Sequence, residues 1–109
     1  MIKVSECKEQ CSIDADLVDF DPWFRRTAPA ATTAVQTHLN RKLYATQEEL
    51  TADTAAPVGA MVVTEDLRHA MLMLIAHWFE NRETSSELTI KDVPMAFDFL
   101  TAPYKLINL

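Results

Sequence analysis

Hydrophobic positions along the chain fall into two kinds of pattern. Between residues 24 and 39 they recur as Phe24, Ala28, Ala31, Val35 and Leu39, a single stripe at helical spacing. Within "DLRHAMLMLIAHWFENRET" (66–84) the pattern closes up, and from Ala70 to Phe79 only His77 is polar. A surface helix in a small domain normally has one apolar stripe and one wet face. The second helix has almost no wet face, so it must be covered on more than one side.

Local signals bound these elements. Thr64 is placed to cap the N-terminus of the apolar helix, and Glu65 and Asp66 complement its positive end. The helix is predicted to run to Asn81 or Arg82, with Leu67, Met71, Leu74, Ile75 and Trp78 as its core positions. Asp21 and Pro22 read as cap and first residue of the earlier helix, with a start one turn sooner near Asp16 as the alternative. Pro29 lies off the stripe and predicts a kink. Asn40 can take the left-handed conformation that ends the helix at His38 or Leu39.

Ser5 predicts a cap for a short helix over residues 6–11, with Glu6 in its first turn. The segment 44–63 is a long connection holding the only glycine, with a helical turn expected around Gln47–Leu50. Connections of this length are commonly functional or form interfaces. A polar loop over 84–92 then leads to a short helix over 93–100, stopped by Pro103. The expected fold is all-α: one helical domain over 1–109, with a long first helix, a long central apolar helix and short terminal helices.

Charge narrows the function. Ten basic and sixteen acidic residues give a net charge of −6. Tight binding to nucleic-acid phosphates requires a basic patch, so the charge disfavours that class, and a DNA-binding regulator is the weakest of the competing expectations. Residues 1–44 balance six basic against six acidic side chains, while 64–109 carry four against seven. The apolar run 70–76 falls far short of the roughly 20 residues that cross a bilayer. Met1 leads into a mixed polar stretch rather than a signal peptide, so a soluble protein, intracellular where it is made and with no membrane partner, is expected.

Candidate chemistry is sparse. Cys7 and Cys11, four apart, share a helix face with Val4 and read as packing residues, since further zinc ligands at the usual spacing are lacking. Asp14, Asp16, Asp19 and Asp21 lack the glycine and distant glutamate of a calcium loop. His69 and His77 are two helical turns apart, and His38 is remote in sequence. No nucleophile elbow or H-E-x-x-H pattern occurs, so no catalytic, metal or cofactor residue is assigned and the protein is expected not to be an enzyme. Glu80, Arg82 and Glu83 read as a helix end or subunit contact, with Arg82 able to grip a carboxylate by two prongs. The tail "YKLINL" (104–109) is apolar at Tyr104, Leu106, Ile107 and Leu109, and is expected either to fold back or to dock on a neighbour.

The sequence His77, Trp78, Phe79, Glu80, Asn81 and Arg82, then a polar loop, then Val93–Pro94 and Pro103–Tyr104–Lys105, resembles the head–tail connector (head-completion adaptor) family of tailed bacteriophages. More loosely, "VSECKEQCSID" is similar to the family's opening helix, and "LNRKLY" to its Tyr/Leu-x-Gly-Arg-x-Leu element, with Asn40 in place of the glycine. The two prolines of "DPWFRRTAPAATT" depart from the family's smoother first helix. The resemblance implies a virion protein that forms a ring of about twelve copies beneath the portal. The ring would extend the DNA exit channel, without binding the DNA tightly, and offer a surface to the next head-completion or tail protein. Synthesis would take place in the cytoplasm of the bacterial host. A small regulatory module that dimerises through its apolar helix is the competing expectation.

Overall fold

In the computed structural model, residues 1–81 and 95–105 are described. At the N-terminus of the central helix the backbone of Thr64 is extended, and its hydroxyl accepts a hydrogen bond from the Leu67 N–H at 3.3 Å. The helix it opens, α4, spans Glu65–Glu80. Leu67, Met71, Leu74, Ile75 and Trp78 lie on one side of it, and the first four have no exposed surface. They pack against the buried stripe of α2 (Asp21–Leu39), formed by Phe24, Ala28, Ala31, Val35 and Leu39. A shorter helix, α1 (Val4–Gln10), lies against both and adds the buried Cys7.

Two helix starts differ from the expected ones, and both differences have a tertiary cause. Phe20, not Asp21, precedes α2, because its ring packs edge-on against Phe79 at 5.1 Å. The Asp21 carboxylate is drawn instead to the buried Lys8, at 2.8 Å. Helix α1 starts at Val4 with Ser5 inside it, since the Glu6 carboxylate accepts a hydrogen bond from the Lys3 N–H at 3.1 Å and moves the cap forward. The far end of α2 follows the local signal: Asn40 takes φ 58°, ψ 37° and closes the helix after Leu39. Helix α2 continues through Pro29, which is exposed.

The connection 44–63 is more ordered than its composition suggests. Leu43–Tyr44 (β1) and Met61–Val62 (β2) form a parallel pair, Leu43 opposite Met61 and Tyr44 opposite Val62, with α3 (Gln47–Ala52) between them. Strands of two residues are too short to show period-two alternation, so a helical reading of the chain passes over them. Among the described residues the fold is otherwise all-α. After the undescribed 82–94, which include the predicted polar loop and the Val93–Pro94 start, α5 spans Met95–Thr101 and a 3₁₀ turn Ala102–Tyr104. The Phe97 ring enters the core, and its neighbour Phe99 is left 82% exposed.

His38 links α2 to α5, with its imidazole 5.4 Å from the Phe97 ring. Burial, and then the nearby Lys105, hold its pKa below the ordinary 6.5, with Asp98 acting in the opposite direction. The neutral ring therefore favours the folded state. Its contribution is complete above the unfolded pKa and is lost as pH falls through the lower folded value. Thermal stability is expected to decline as pH falls below the ordinary histidine pKa, and His38→Gln should flatten that decline. Melting curves at half-unit pH intervals check this; an equally steep decline in the variant would assign the effect elsewhere.

Candidate interaction surfaces

The short sequence "HWFENR" is divided by helix geometry among several tasks. Successive residues turn by about 100° around the axis, so neighbours point in different directions. Trp78 enters the core with 5% of its surface exposed. Phe79 points instead to the start of α2, where it stacks on Phe24 at 5.4 Å and meets Trp23 at 5.5 Å. Asn81 ends the helix, its side-chain amide donating to the His77 carbonyl at 2.8 Å. His77 is half-buried and Glu80 exposed on the outside. Arg82 and Glu83 lie outside the described residues, so the predicted contact at the helix end is represented here by Glu80 alone.

The side of α4 away from the core carries Leu72, Met73 and Ala76, all half-buried rather than covered. Shallow grooves run along this side between α1 and α4, bordered by Glu9, Gln10, His77 and Glu80. The helix thus has two apolar sides. The described residues cover one fully and the other only in part.

Arg41, which follows the Asn40 cap, joins three distant parts of the chain. Its Nε donates to the Tyr104 carbonyl at 2.6 Å, and its Nη1 donates to the Gly59 carbonyl at 2.7 Å. The Tyr104 hydroxyl in turn donates to Asp66 at 3.0 Å, at the start of α4. Gly59, the single glycine, sits at φ 88°, a conformation that glycine adopts without steric cost. The start of the apolar tail is therefore fastened to its own subunit at Tyr104; Leu106, Ile107 and Leu109 lie outside the described residues. Within the same loop the Tyr44 hydroxyl donates to Asp53, holding that carboxyl below its usual pKa, with help from the Ala55 N–H. Arg41 stands in the "LNRKLY" element, the one sequence signal that marks it.

Reactive groups are few on these surfaces. Burial pushes the Cys7 thiol up to about 11, assisted by Cys11 and Glu6, so it stays protonated near neutral pH. Both cysteines are free thiols. Among the described residues, no three His, Cys, Asp or Glu side chains are grouped to hold a metal ion, and no helix is long and apolar enough to cross a membrane.

What the described residues assemble is a helical structural subunit whose polar contacts fasten one element to another. The family model for phage gp6-like head–tail connector proteins matches residues 1–108, and the chain belongs to that family. It is thus a structural protein of the virion, working at the junction of head and tail. Among curated proteins and among solved structures, none matches the chain.

Proposed function

We propose that this connector assembles as a ring beneath the portal, lengthens the channel through which DNA leaves the head, and presents its far side to the next head-completion or tail protein. The observation that carries the reading is the outer side of α4. Leu72, Met73 and Ala76 form a half-covered apolar strip on the central helix. A ring supplies two neighbours to every subunit, so such a strip gains cover without a larger fold. The net charge of −6 is compatible with a channel wall that lets phosphates pass without holding them.

Purified protein mixed with purified portal rings tests the proposal. Negative-stain electron microscopy is expected to show an added ring coaxial with the portal, and mass photometry a mass increment of several subunits. A dimer at all concentrations, with no portal binding, would overturn it in favour of the dimerising regulatory module.

A further inference from the structure

We infer that two outward faces of the subunit are the halves of one head-to-tail contact between copies of this chain: the α1–α4 face receives the outer face of the next copy's α2, and Glu9 and Glu80 meet Arg25 and Arg26. The inference rests on the ring reading above and specifies which surfaces close the ring.

Helix geometry places the two faces. At about 100° per residue, Leu72, Met73, Ala76 and Glu80 lie on the side of α4 away from Leu67, Met71, Leu74 and Trp78. The same construction puts Arg26, Pro29 and Thr33 on the side of α2 away from its buried stripe, with Arg25 at the edge, and all four are exposed. Because α2 and α4 pack through their inner stripes, their outer faces look in opposite directions. A two-fold contact uses one patch twice. A patch and its complement on opposite sides of a subunit instead make a head-to-tail contact, the kind that can close into a ring.

Charge matches the faces to each other. Glu9 and Glu80 are exposed beside the apolar strip, and Glu9 borders the same groove as Leu72. Arg25 and Arg26 are exposed near the start of α2. None of these four side chains forms an ion pair among the described residues, where the pairs are Lys8 with Asp21 and Arg68 with Glu6. Each face thus offers uncompensated charge of opposite sign. Beyond the arginines the outer face of α2 carries the short, exposed side chains of Pro29 and Thr33, which would face the strip of Leu72, Met73 and Ala76. Complementary charges set the register of such a contact, and juxtaposed like charges oppose it.

Charge reversal tests the pairing on the full-length chain, with self-association followed by sedimentation and mass photometry, free and on portal rings. Glu9→Arg with Glu80→Arg makes both faces basic; Arg25→Glu with Arg26→Glu makes both acidic. Each variant alone is expected to associate at least about tenfold more weakly than the parent. Each should melt within about 2 °C of the parent, because the positions are exposed. An equimolar mixture of the two is expected to recover association, since every acidic face again meets a basic one. If either variant associates like the parent, or the mixture stays apart, the pairing of faces is overturned while the ring stands. If the parent never self-associates, free or on the portal, the ring reading itself fails.

Discussion

Trp78→Ala is expected to destabilise the subunit by about 3–5 kcal/mol, the range for removing a large aromatic side chain from a packed interior. Trp78 retains 5% of its exposed surface and belongs to the cluster that joins α4 to α2. The surrounding helices have little freedom to close the space. Thr64 fixes the start of α4, while Phe79, the next residue, is held by the aromatic rings of α2. For a chain of this size the loss corresponds to a fall in melting temperature of more than about 10 °C. Trp78→Phe, which refills part of the volume, should fall less. A melting temperature within about 2 °C of the parent would remove Trp78 from the structural core.

Arg41→Ala is expected to cost about 2–3 kcal/mol, because hydrogen bonds from a charged donor are stronger than neutral ones and two carbonyls lose their partner together. The effect should also be localised. Gly59 and Tyr104 lie 18 and 63 residues from Arg41, and its guanidinium bonds to both. Hydrogen exchange is expected to quicken in the 53–60 loop and around Tyr104 before it changes in α4. Arg41→Lys should recover little, since an ammonium group does not reproduce a planar fork directed at two acceptors. A urea midpoint unchanged in Arg41→Ala, with unchanged exchange at both sites, would show that the two bonds contribute nothing to holding the tail.

Taken together, these residues show how a small connector subunit divides its hydrophobic surface. Trp78 and its inner-stripe neighbours hold the subunit together, and Arg41 anchors the start of the tail. The other side of the same central helix keeps a half-covered strip. On the proposed pairing of faces, Trp78→Ala should lower subunit stability and the charge reversals beside Leu72 and Met73 should weaken assembly, each without the other effect.

Local rules carried much of the reading. The stripe from Phe24 to Leu39, the Asn40 cap and the Thr64 cap all follow from interactions within a few residues, and each is found at its expected position. The order His77 to Arg82, then Val93–Pro94 and Pro103–Tyr104–Lys105, carries the resemblance to the connector family, and the family model matches residues 1–108. The starts of α1 and α2 moved where an acidic side chain had a competing partner. Asp21 could cap a helix, but in the folded chain the buried Lys8 claims its carboxylate.

Other features depend on residues that only folding brings together. Two-residue strands have no periodicity of their own, so Leu43 meets Met61 only after α3 has turned the chain back. Arg41 looks like any exposed cation until Gly59 and Tyr104 arrive beside it. The apolar run of α4 announced that two sides needed cover, since that depends only on composition and helical pitch. Which side α2 would take, and which would be left half-covered, depended on how the helices packed: burial is a property of surfaces in contact, and those contacts join residues far apart in the chain.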